Sequence, residues 1–159
     1  MLIKFAFVGT VLLWPVVTCA TDYTNTEEVA KVSAIVKQGK FEHVLRELER
    51  QAAVAKYSCK RYYDNYEQDL VVRSNETLIS MQVIRCFHKD ASSGAVWVNV
   101  STPPNEVTVV LYGVEGSQEN LTQGKEFLRR FASSLQADPV VENVCVLAPA
   151  PTEHTCKPP

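Results

Sequence analysis

Cys59, Cys86, Cys145 and Cys156 carry the most reactive side chains of this sequence. No Cys-x-x-Cys pair occurs among them, which leaves His154 and Cys156 near Cys145 a poor zinc set. In an exported chain an even set of cysteines reads as two disulfides, and spacing leaves all three pairings open. Such thiols serve better as staples than as nucleophiles. His43 flanks a helix stripe and His88 sits at a turn, neither in a catalytic motif, and both read as surface histidines. The chain has no His-Glu-x-x-His helix, no Gly-x-Ser-x-Gly elbow, no phosphate-cradling Gly-Lys-Ser/Thr loop and no dinucleotide glycine fingerprint. The expectation is a non-enzyme with no catalytic residue, cofactor or metal.

Two further residue classes bear on binding. Asn75-Glu76-Thr77, Asn99-Val100-Ser101 and Asn120-Leu121-Thr122 fit the N-glycosylation acceptor pattern, so Asn75, Asn99 and Asn120 are expected on exposed turns or strand edges, Asn99 on the face opposite the valines. Lys60-Arg61-Tyr62-Tyr63 interleaves cations with aromatics, but Asp64, Glu67 and Asp69 cancel that field, and nucleic acid is not expected as a partner. Tyr62, Tyr66 and Trp97 are the candidate ligand contacts, because aromatics on one face of a curled sheet can wall a concave site. Packing of the sheet against a helix is the competing role for them.

The elements that must position these residues begin after a leader. Lys4, an apolar run from Phe5 to Val17 and the small residues Thr18-Cys19-Ala20 have the layout of a signal peptide over 1–20, so a secreted, extracellular protein is expected. No other stretch approaches the roughly 20 apolar residues of a membrane span. Without Lys4 the chain keeps 15 basic against 18 acidic side chains, near neutral and mildly acidic. At 46% hydrophobic it is too apolar for a disordered chain. One domain is expected over 21–147, followed by a proline-rich tail over 148–159 tied back by Cys156.

Within that domain the N-terminal third reads as helical. Asn25-x-x-Glu28 resembles a cap before Val29, Val32 and Val36, with Gly39 as the stop. A second helix places Phe41, Val44, Leu45, Leu48, Ala52 and Ala55 on one stripe. The middle switches to period two. Ile79, Met81, Val83 and Phe87 share one face of a strand from Thr77, and Val96, Val98 and Val100 oppose Trp97, Asn99 and Ser101 in the next. Val107–Tyr112 and Val140–Leu147 are further strands, with shorter candidates at 59–63 and 70–73. A helix over 120–136 turns Leu121, Phe127, Leu128, Phe131 and Leu135 inward. The fold class is α+β: an antiparallel sheet with N-terminal helices and one C-terminal helix.

Tyr63-Asp64-Asn65-Tyr66-Glu67-x-Asp69, then Cys86, resembles a stretch found in tick salivary lipocalins. The helix from Gln123 to Leu135, Val144-Cys145-Val146-Leu147 and the terminal Cys156 are similar to the end of a lipocalin barrel. The resemblance implies that the sheet curls into a closed barrel with a small ligand in its mouth, and that Cys59 bridges Cys156 while Cys86 bridges Cys145. It also implies a salivary carrier or scavenger of a small apolar or cationic ligand, such as a host mediator. The alternative is a non-catalytic α+β interaction module that binds a host or partner protein through its surface. A monomer is expected in either case. The segment over 26–56 discriminates, since two long helices there are hard to reconcile with a full barrel.

Overall fold

A computed structural model of the chain describes residues 26–63, 79–102, 104–114, 121–147 and 154–157. The expected leader, Tyr66, Asn75, Asn120 and the candidate strand at 70–73 lie outside the described residues.

Thr26–Val36 is a strand, β1, which corrects the first N-terminal helix. Val29, Val32 and Val36 mimic helical spacing because of a bulge between Glu28 and Ala30. The bulge shifts Val29 onto the face that Val32, Ala34 and Val36 reach by strict alternation, so a step of three appears inside a period of two. The β-branched content of this segment favours the extended backbone once neighbours on both sides can pair with it.

Gly39 takes a φ of +71°, which turns the chain out of β1 into helix α1, Phe41–Val54. The expected stripe is its buried face: Phe41, Val44, Leu45, Leu48 and Ala52. There follow β2 (Tyr57–Arg61), β3 (Ile79–His88), β4 (Ala95–Thr102) and β5 (Glu106–Val114). Helix α2 (Thr122–Gln136), β6 (Val141–Leu147) and β7 (His154–Lys157) complete the order.

The sheet is antiparallel with strand order β2-β3-β4-β5-β1-β6-β7. It is open, with β2 and β7 at its edges, so the closed barrel is also corrected. The topology explains why, among the described residues, one face of the sheet, the bare face, carries no helix. Strands β2 to β5 form a meander joined through neighbours. Strand β1 pairs with both β5 and β6, which makes β5 and β6 parallel to each other. Following the pairings across the meander makes β1 and β2 parallel as well. Both parallel connections need a crossover segment, and α1 and α2 are those segments. They pack against each other on one side of the sheet.

One apolar cluster joins that side. Val32 and Val36 of β1, Ile84 of β3, Val96, Val98 and Val100 of β4, and Val107, Val109 and Leu111 of β5 meet Leu45, Leu48, Phe127 and Phe131 of the helices. Gly124 lets α2 approach closely: a Cβ there would lie 2.7 Å from Leu111 Cδ1 and 2.9 Å from the Ser93 carbonyl.

Candidate functional site

The register sorts the side chains of the uncovered face. On β4, Val96 and Val98 point to the helices, so Trp97 and Asn99 point away from them. Trp97 is opposite Arg85 on β3 and Val110 on β5, and Asn99 is opposite Gln82 and Thr108. Lys60 on β2 is opposite Arg85, and Tyr112 on β5 is diagonal to Trp97.

Tyr62, which directly follows β2, forms a ladder with Arg85 of β3, Trp97 of β4 and Tyr112 of β5. The Arg85 guanidinium lies 5.3 Å from the Tyr62 ring centroid and 4.5 Å from that of Trp97. The Trp97 and Tyr112 rings follow at 4.5 Å with a 45° tilt. Each cation–π contact draws the guanidinium to the negative face of a ring, while Arg85 Nε donates to Gln82 Oε1 at 2.8 Å. The planar cation is thereby held at three points. Burial, and then the nearby Glu28 carboxylate, raise the Tyr112 phenol above its ordinary range. Trp97 Nε1 is sealed from solvent without a hydrogen-bond partner among the described residues. Tyr62, at the β2 end of the ladder, is 43% exposed.

The ladder unites Tyr62 and Trp97 and adds Arg85 and Tyr112, neither of which the sequence reading selected. Arg85 was hidden by parity. Alternation through Ile79, Met81 and Val83 carries position 85 onto the core face. A bulge between Gln82 and Ile84 reverses this: Val83 and Ile84 are both buried, Cys86 faces the helices, and Arg85 and Phe87 turn to the bare face. The grouping of Phe87 on one face with Ile79, Met81 and Val83 is corrected for the same reason. Tyr112 sat in plain view at the end of an alternating strand, and only the diagonal across β4 and β5 gives it significance.

The cysteines depart from the pairing that the resemblance implied. Cys59 is bonded to Cys86, directly opposite it across β2 and β3. Cys145 is also disulfide-bonded, and the residue opposite it across β6 and β7 is Cys156. These opposed pairs lie at the two edges of the sheet, between the short edge strands and their neighbours. A disulfide here replaces the ladder bonds that an edge strand lacks on its outer side.

Several other titratable groups serve the covered side. Arg61 donates to Glu49 and Glu42 at 2.6 to 2.8 Å, tying β2 to α1, and these two carboxylates hold its pKa above the ordinary arginine value. His43 Nε2 lies 2.7 Å from Asp138 Oδ2, joining α1 to the turn after α2. His88 stacks edge-on with Tyr57, whose hydroxyl donates to the Ser93 carbonyl. Among the described residues no three His, Cys, Asp or Glu side chains gather as a metal site. An open cleft of about 510 Å³ lies where β1 meets β6, lined by Ile35, Lys37, Pro139, Val141, Glu142 and Asn143. Among the described residues no helix is long and apolar enough to cross a membrane.

No family model matches the chain, and no curated protein or solved structure matches it.

Proposed function

We propose that this protein is a secreted, non-catalytic α+β interaction module that docks a partner protein on the bare face of its sheet. The observation that carries the reading is the Tyr62–Arg85–Trp97–Tyr112 ladder. Tyr, Trp and Arg are the residue types that most often anchor protein–protein interfaces, since each offers a large area with little rotamer entropy to lose once braced. Here the bracing exists before any partner arrives, which lowers the ordering cost of association. The disulfides favour an oxidising compartment, in agreement with the leader-like N-terminus.

A small-ligand carrier needs an enclosed cup, and the space between sheet and helices is filled by Phe127, Phe131, Leu45 and Leu48. That packing favours surface recognition over enclosure. The test is affinity capture from the fluid into which the protein is exported, with wild type freed of N-glycans and its Trp97→Ala variant as paired baits. A protein retained by wild type, lost with Trp97→Ala and Tyr62→Ala, and kept by Arg129→Ala on the outer side of α2 is the expected result. A captured protein indifferent to the ladder substitutions, or a small molecule retained in native mass spectrometry, overturns the reading.

A further inference from the structure

Asn99 sits in the middle of the bare face, on a strand flanked by β3 and β5. Its side chain makes no hydrogen bond among the described residues, and its amide is not among the polar atoms sealed from solvent. Its neighbours across the sheet are the polar side chains of Gln82 and Thr108, and Thr108 Oγ1 lies 3.4 Å from Ser33 Oγ. Asn99-Val100-Ser101 is a complete acceptor sequence. An amide with no partner among the described residues, on a sheet face that no described element covers, is what a strand must present to carry a sugar, because the attached chain has nowhere to go on a covered face. Trp97 lies two residues earlier on the same face, about 6.6 Å along the strand. A pyranose ring spans that distance.

We propose that Asn99 is an N-glycosylation site whose proximal N-acetylglucosamine lies over the Trp97 end of the ladder, so that glycan occupancy closes the docking face. This rests on the export and docking readings above. In the modification an oligosaccharide passes from a polyprenyl diphosphate donor to Asn99 Nδ2. The anomeric C–O bond to the diphosphate breaks, a C–N bond forms, the amide loses one proton, and the lipid diphosphate departs. Polarised C–H bonds of the sugar meet the negative faces and edges of the aromatic ladder, while its hydroxyls and acetamido group meet Gln82 and Thr108. A partner protein approaching Trp97 must first displace this sugar. Chains without it present the ladder directly.

The test uses the full chain exported from a eukaryotic host, with Asn75→Gln and Asn120→Gln to isolate one sequon. Removal of the leader on export takes away Trp14 and leaves Trp97 as the only tryptophan. Intact mass is expected to show one N-glycan, mapped to Asn99, and acrylamide quenching of Trp97 should fall to roughly half that in Asn99→Gln. Trimming to a single N-acetylglucosamine should keep most of that protection. Ser101→Ala removes the sequon while retaining Asn99 and should quench like Asn99→Gln, which separates glycan loss from damage by substitution. An exported, folded chain with Asn99 unmodified overturns the proposal, as does a glycan on Asn99 with quenching equal to that of the two variants. No partner enters these measurements. Failure of the docking reading therefore shows in the capture experiment alone.

Discussion

The two faces of the sheet are built from the same strands and differ in what lies above them. Over one face, α1 and α2 seal valines, leucines and phenylalanines to nearly zero exposure. Over the other, order comes from contacts among side chains that stay partly wet: Arg85 between two rings, Trp97 against Tyr112, Ser33 beside Thr108. The first arrangement gains its stability from apolar area removed from water, at about 25 cal/mol per Å². The second gains about 0.5–1 kcal/mol for each exposed cation–π or ring contact. Stability therefore resides on the covered face, and the bare face can change its residues, carry a sugar or dock a partner without unfolding the domain.

The sharpest way to break this contrast is Phe131→Ala, which empties a fully buried site on α2. It should cost about 3–5 kcal/mol in denaturant unfolding. A cost below about 1 kcal/mol would place the core elsewhere.

Replacing Cys59 and Cys86 together by alanine should cost about 2–4 kcal/mol, because the bridge closes a 27-residue separation that the unfolded chain must otherwise restrict. Peptide mapping of the unreduced protein should recover Cys59 with Cys86 in one linked fragment. Cys59 linked to Cys156 would contradict the sheet order itself.

A third, smaller effect uses Tyr57, whose phenol is pushed up to about 12 by burial and then by Asp90. Its folded value lies above the unfolded value of about 10, so its contribution is complete below pH 10 and disappears as pH rises through 12. Alkaline unfolding should lose about 1–2 kcal/mol in that window, and Tyr57→Phe should flatten it. An unchanged pH profile in Tyr57→Phe would mean that the phenol is not buried against Phe127 and His88.

The smallest effect is expected on the bare face. Trp97→Phe removes an indole N–H that has no partner among the described residues, and stability should move by no more than about 0.5 kcal/mol. A loss above about 2 kcal/mol would make Trp97 a core residue and dissolve the distinction between the faces.

Legibility in the sequence followed the same division. The α1 stripe, the β4 alternation and the inward set of α2 were readable because each is periodic over an uninterrupted element. Errors gathered at bulges. One in β1 made a strand look helical, and one in β3 reversed the faces of Arg85 and Phe87. A bulge adds one residue without changing residue type, so periodicity counted along one strand passes over it. The cysteine pairing was not legible either, since it depends on which strands become neighbours.

Composition and local pattern were enough to indicate an antiparallel α+β chain with helices close to those observed at Phe41–Val54 and Thr122–Gln136, a half-polar β4 and cysteines suited to bridges. These properties depend on residues within a few positions of each other. Tertiary structure alone decided that the sheet stays open, that Cys59 bonds Cys86, and that Tyr62, just past β2, meets Arg85, Trp97 and Tyr112 of three further strands on one face. The reason is physical: strand order follows from two crossover helices burying their apolar stripes together on one side of the sheet. That packing joins residues far apart along the chain, Tyr62 with Tyr112 in the ladder and Lys31 with Leu147 in the sheet, and no local window contains it.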